Sequence, residues 1–557
     1  VARFSLIISI AFTLLTGSAW AVPAEGTRIM IAGPSPYSPQ IARDIYALGG
    51  NAVDVIVAAA FELSVTHPAV GSLGGGGLAV VKMDGKITTL DFRETAPAAA
   101  GVDLYKGKAP AASRNGGLAV AIPGIPAGLF ELHKRFGKLK WAQVIAPAQK
   151  MAEKGFLVSG EWAKSTARNA DRFNAAAKRI LFNKDGTPLK PGDLLKQPEL
   201  AKMLAQISKK GPQAFYQGDG AKDIVATVTA SGGIMTTDDL KNYKPRWLDP
   251  ITAELGGYKL YLMPPPSSGG VVIAEAVKLI EKTKLKDRAP LSVEELHQLI
   301  EIEKLSFKGR ALLGDPDFNK NPIDEMLDDK AIGQLAALIN PDHALDPQSL
   351  LTPEQREILK NAPREKEQTT HMSVIDAKGN AVAMTVTLNG DYGSALLTNK
   401  FGIALNNEMD DFTTHLNQPN MFGLIQGTAN QVRAGARPLS SMSPTIVEKD
   451  GKTYLAVGSP GGPRITSAVL QVLYRILVQN FDIDRAIQTA RVHHQFLPNI
   501  VYTDKLRLPP ETYVALTKKG HVISEGSTAK VYAVRLSDSG ILEGAYDDRG
   551  EGGAGGY

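Results

Sequence analysis

Two runs of alternating residues, "THMSVID" from Thr370 and "AVAMTVTLN" from Ala381, flank the turn "AKGN". Successive side chains of a strand point to opposite faces, so a period of two on both sides of a turn restricts this stretch to a β-hairpin. Met372 and Val374 form the inward set of one strand, and Val382, Met384 and Val386 that of the other. The hairpin brings Thr387 back beside Thr369 and Thr370 at its open end. A one-residue slip exchanges which of the two threonines it faces, so the pattern leaves that pairing open. The preceding residues cannot bury themselves. Thr352 and Gln355 form a capping box with Pro353 at the first helical position, which predicts a short helix ended by Pro363. Eight of the fifteen residues from Glu354 to Gln368 are charged. This composition predicts a surface connector that runs directly into Thr369.

Elsewhere helical and strand-like spacings interleave. In "SPQIARDIYALGGNAVDVIVAAAFELSV" a Gly-Gly break separates two helices, with Ala42, Ile45 and Leu48 on one face of the first and Val53, Val57, Ala60 and Phe61 on one face of the second. "LAVVKMDGKITTLDFRE" reads as a hairpin about Asp84-Gly85. "KLYLM" reads as a strand entering the turn "PPPSSGG", with a buried helix from Val271 to Ile280. The fold class is therefore mixed α/β, in a chain of 557 residues long enough for two domains or one large one. The chain has no cysteine, so thiolate nucleophiles, disulfides and Cys-metal sites are excluded. A formal charge of +5 without a basic block argues against a nucleic-acid partner. Arg3, the apolar run from Phe4 to Leu15 and Ala19-Trp20-Ala21 form an export signal spanning 1–21. The run breaks at Gly17, short of a membrane span. The expected location is periplasmic or secreted, in a bacterium.

The threonine seam suggests chemistry. A threonine hydroxyl needs a base, and its own α-amine, with an ordinary pKa of about 7.7–8.0, serves once the preceding peptide bond is cut. A connector leading into Thr369 suits such self-cleavage, with the hydroxyl attacking the Gln368 carbonyl and water resolving the ester. Further on, "GSPGGPRI" joins a strand to a helix in which Ile465, Val469, Val472, Leu473 and Ile476 recur at helical spacing. Gly461 and Gly462 would then offer backbone N–H groups at a helix N-terminus, suited to a developing oxyanion or, equally, to a tight packing turn. Neither this turn nor "GGGG" at Gly74–Gly77 carries the G-K-[ST] of a phosphate loop, and no G-x-S-x-G elbow is present.

In "TTHMSVIDAKGNAVAMTVTLN", "NNEMDDF", "RPLSSMSPTIV", "GSPGGPRI" and "DFRETAP", the chain resembles the γ-glutamyltranspeptidases, or glutathione hydrolases. "GGNAVD", "GGGG", "PPPSSGG", "GDPDF" and "RVHHQFLP" extend the resemblance in order over nearly the whole mature chain. It implies an N-terminal-nucleophile hydrolase fold of αββα layers, made as a large subunit (22–368) and a small catalytic subunit (369–557) from one self-cleaved precursor. By the same resemblance Thr369 is the nucleophile and Thr387 the threonine that bonds its amine. Gly461 and Gly462 match the oxyanion pair. Arg93, Ser440 and Ser441 match the groups that hold the substrate α-carboxylate, and Asn389, Glu408 and Asp411 those around its α-ammonium. Glu408 stands where some members carry Gln, and Phe422 stands in the lid loop (413–437) where a Tyr is common. The implied substrates are glutathione and other γ-glutamyl compounds, with water or amino acid and dipeptide acceptors; no cofactor or metal is implied, and His493 and His494 read as structural. Two rivals remain: a cephalosporin acylase acting on glutaryl side chains, against which Asp411 argues, and an uncleaved periplasmic binding protein.

Overall fold

The computed structural model describes residues 23–351, 369–416 and 418–557. The export signal, the helix begun at Thr352 and the charged connector ending at Gln368 lie outside these residues.

Two seven-stranded antiparallel sheets form the centre of the molecule. One has the strand order Gly553–Gly556, Ile29–Gly33, Thr370–Asp376, Ala381–Thr387, Gly76–Met83, Lys86–Phe92, Arg246–Leu248. The other runs Ala24–Gly26, Leu542–Tyr546, Tyr532–Leu536, Lys452–Gly458, Thr445–Lys449, Tyr258–Leu262, Ile251–Leu255. Alternation in the first sheet divides its side chains between two cores. Ile29, Ile31, Ala79, Val81, Met372, Val374, Val382, Met384 and Val386 pack with the helices Ser38–Ala47 and Ala52–Thr66. Met30, Ala32, Leu78, Val80, Ile375, Ala381 and Ala383 join the second sheet and the helices Gly269–Lys282, Val293–Lys308 and Arg464–Leu477. The layers are thus helix, sheet, sheet, helix. Both faces of the hairpin are buried, so its alternation divides two cores rather than core from solvent.

Local chemistry explains the predicted elements. Asn51 caps Ala52–Thr66 in a capping box with Asp54, and every residue of that helix is buried. Asp84 (φ 48°) and Gly85 (φ 79°) both occupy the left-handed region, as a two-residue hairpin turn requires. Leu48 departs from its predicted face: its helix ends at Ala47, Gly49 turns the chain at φ 91°, and Leu48 is 56% exposed.

Candidate active site

Thr370 pairs with Val386 in the hairpin, which sets Thr369 opposite Thr387 and settles the register. The two hydroxyls are 3.4 Å apart, and Thr387 Oγ1 also accepts the Asn389 N–H at 2.8 Å. Thr370 is next along the strand, and its buried hydroxyl has no hydrogen-bond partner among the described residues. His371 is not placed to act as a base. Its ring bonds Thr385 Oγ1 (2.8 Å) and Ser373 Oγ (3.0 Å), Ser373 donates to the Tyr532 carbonyl of the second sheet, and burial pushes the imidazole pKa down to about 3. His371 and Ser373 therefore belong to a neutral polar chain between the sheets.

Opposite the threonines, the strand Lys452–Gly458 leads through Gly461 (φ 124°) and Gly462 (φ 55°) into the helix Arg464–Leu477. Both backbone conformations disfavour a side chain, which explains the glycine pair. Gly462 and Pro463 form part of the wall of a cleft that also contains Thr369 and Thr387. Arg93, Asn389, Glu408, Asp411, Phe422, Ser440 and Ser441 line the same cleft. Every predicted site residue but Gly461 lies in its wall, and Gly461 is the immediate neighbour of Gly462.

The head-group end of the cleft is a buried charge cluster. Arg93 follows the strand Lys86–Phe92; its Nη1 pairs with Glu408, its Nη2 lies 2.5 Å from Asp411 Oδ2, and its Nε donates to the Pro438 carbonyl. The expected carboxylate-binding guanidinium and the expected ammonium-binding acids are thus partnered with one another. Glu94 Oε2 lies 3.6 Å from Arg93 Nη1, and neither of its oxygens accepts a hydrogen bond among the described residues. Burial pushes Glu94 up to about 7 against the pull of Arg93, and raises Glu408 well above the ordinary carboxylate range and Asp411 to a lesser extent. Three buried carboxyl groups around one guanidinium favour retention of a proton until another cation arrives. Asn389 sits at φ 71° and donates its Nδ2 to the Asn407 carbonyl at 3.0 Å, which leaves its Oδ1 as an acceptor at the cleft. Ser440 and Ser441 line the same cleft, and Ser440 Oγ accepts the Met442 N–H at 3.0 Å.

Sequence reasoning missed Arg310, Glu94, Leu424, Met442, Pro463 and Ile465. Arg310, Leu424, Met442, Pro463 and Ile465 line the cleft, and Glu94 stands behind it. All lie within or beside a recognised stretch, Arg310 four residues before "GDPDF", Glu94 inside "DFRETAP" and Leu424 two residues after Phe422 in the lid loop. His493 bonds Ser467 and Gln495, and His494 bonds Asn499, so both serve the packing of this region as expected. His297, Glu301 and His521 cluster at a spacing that a metal ion could bridge. There the Lys304 ammonium already sits on Glu301 at 2.7 Å, and the two imidazoles bond each other at 2.7 Å, so the group is satisfied internally.

A threonine at the start of a central strand, facing a glycine turn across two stacked sheets between helical layers, defines an N-terminal-nucleophile hydrolase. The family model described as gamma-glutamyltranspeptidase matches residues 38–557, and the chain belongs to that family. The glutathione hydrolase proenzyme of Pseudomonas aeruginosa is 38% identical over 559 residues, covering 98% of both chains. That of Escherichia coli is 38% identical, covering 95% of this chain and 91% of its own. Among solved structures, the γ-glutamyltranspeptidase of Helicobacter pylori (33% identity, TM-score 0.55) covers 59% of this chain and 96% of its own. A cephalosporin acylase from Bacillus halodurans superimposes over 96% of this chain and 97% of its own with TM-score 0.84, but at 23% identity this likeness concerns the fold alone.

Proposed function

We infer that the protein is a glutathione hydrolase and γ-glutamyltransferase, made as a precursor that cuts itself between Gln368 and Thr369. The observation that carries this reading is the single cleft uniting Thr369, Thr387 and Gly462 with a cation, three acceptors and two hydroxyls. In the precursor, Thr369 Oγ attacks the Gln368 carbonyl, and the scissile nitrogen leaves as the α-amine of Thr369. Water then hydrolyses the ester to give free Thr369 and a Gln368 carboxylate. In the mature enzyme that amine takes the hydroxyl proton as Oγ attacks the γ-carbonyl of glutathione. Gly461 and Gly462 N–H groups stabilise the oxyanion, and the same proton goes to the departing cysteinylglycine amine. Water resolves the γ-glutamyl ester to glutamate, or an amino acid or dipeptide amine takes the acyl group.

The head group of the substrate is a zwitterion. Its α-carboxylate meets Arg93, Ser440 and Ser441, and its α-ammonium meets Glu408, Asp411 and Asn389 Oδ1, so it replaces the Arg93 ion pairs without leaving a buried charge unmatched. This matching also favours γ-glutamyl over glutaryl substrates. No helix among the described residues is long and apolar enough to cross a membrane; export through the 1–21 signal, to the periplasm or medium, remains part of the proposal. Purified processed protein incubated with glutathione should release glutamate and cysteinylglycine, and added glycylglycine should yield the γ-glutamyl tripeptide. Release of neither product would overturn the reading.

A further inference from the structure

Arg310 lies in a short turn at the end of the helix Val293–Lys308, in the part of the chain preceding Thr369, and lines the cleft while only 3% exposed. Unlike Arg93, it has no carboxylate within ion-pair distance among the described residues. Its Nε donates to Ser268 Oγ (3.1 Å), its Nη1 to Gln426 Oε1 (2.9 Å) and its Nη2 to the Leu439 carbonyl (3.4 Å). Each partner leads to a predicted head-group ligand. Ser268 donates both its N–H and its hydroxyl to the Ser440 carbonyl at 2.8 Å. Gln426 Nε2 donates to the Asp411 carbonyl at 2.8 Å. Leu439 immediately precedes Ser440.

We propose that Arg310 is a positioning residue for substrate recognition: one guanidinium from the large-subunit segment ties Ser440 and Asp411 of the small-subunit segment into a single head-group site, and its charge offsets that of Asp411. The inference rests on the γ-glutamyl reading of this cleft. A planar fork with donors in three directions is needed to reach Ser268, Gln426 and Leu439 together, and lysine has no such fork. The charge is also needed. Asp411 faces Arg93, Glu408 and Asp410, with Glu94 behind and Arg114 held on Asp410 at 3.4 Å. Removing the Arg310 charge would leave a more negative cluster that gives up its protons less readily. Burial pushes Arg310 itself down only to about 10, so it stays charged at neutral pH.

Arg310→Met and Arg310→Lys, each isolated in processed form, separate the two contributions. Met should raise KM for a γ-glutamyl anilide at least about tenfold, the loss expected for hydrogen bonds to a charged group. It should leave kcat for the matched glutaryl anilide within about threefold, and shift the acid limb of kcat/KM for the γ-glutamyl substrate to higher pH. Lys should raise KM but keep the limb at its wild-type position. If Arg310→Met does not process, Ser268→Ala serves instead: it cuts one arm, keeps the charge and should raise the same KM several-fold without moving the limb. An unchanged KM with an unmoved limb, or an equal fall in kcat on both anilides, would overturn the proposal. A wild type with no preference for the γ-glutamyl anilide would instead overturn the functional reading beneath it.

Discussion

Asp411→Asn tests the head-group reading on a single atom pair. Asp411 is 8% exposed, with Oδ2 at 2.5 Å from Arg93 and Oδ1 at 3.4 Å from Asn420 Nδ2. Asparagine keeps the shape and removes the charge, while Arg93 retains Glu408. A substrate ammonium that loses a charge-assisted bond in this site forfeits about 1.5–3 kcal/mol, or roughly ten- to 150-fold in kcat/KM. A glutaryl anilide has no ammonium, so the substitution should leave its turnover unchanged or improved, because less acidic charge is left unmatched. The wild type should accordingly prefer the γ-glutamyl anilide by at least tenfold, and the variant should narrow that gap. Steady-state kinetics on the two chromogenic anilides, with a thermal melt to confirm folding, give the answer. Equal losses on both substrates, or a wild type indifferent to the α-amine, would refute the assignment of Asp411.

Thr369→Ala should remain one chain without activity and Thr369→Ser should process slowly and keep some turnover, which a gel and the γ-glutamyl assay read together; an active Ala variant would move the nucleophile elsewhere. Gly461→Ala should lower kcat about 10²- to 10³-fold, because alanine resists φ 124° and the oxyanion donors shift; kcat within a fewfold of wild type would rule out that role. Glu94, raised from 4.5 to about 7, holds a proton in the folded enzyme over a window in which the unfolded chain has released it. The enzyme should therefore lose stability as pH rises from about 4.5 to about 7, by melts across pH without substrate, while kcat/KM for the γ-glutamyl substrate rises as the acids ionise. Glu94→Gln should flatten both profiles, and unchanged profiles would contradict the sign of this linkage.

The sequence made the hairpin legible because alternation over two seven-residue strands admits no other element. Which of Thr369 and Thr370 faces Thr387 was not legible from the alternation. It depends on a one-residue register that the turn and the flanking strands Ile29–Gly33 and Gly76–Met83 fix together. Arg93, Asp411 and Ser440 were found through recognised motifs, yet the pairing of Arg93 with Asp411 was hidden, since no spacing reports which buried charges meet. Arg310 escaped for a related reason. It stands beside a recognised motif, but its role comes from contacts to Gln426 and Leu439, more than a hundred residues away in sequence. The role of His371 was not legible from its position behind two threonines, because its contacts reach through Ser373 to the second sheet.

The central claim is that Thr369 becomes an N-terminus, and intact-mass analysis with N-terminal sequencing of freshly purified active protein tests it most directly. The account predicts two chains, the smaller beginning Thr-Thr-His-Met and ending at Tyr557, with the larger ending at Gln368. A single uncut chain carrying full activity, or a smaller chain beginning at any other residue, would contradict it.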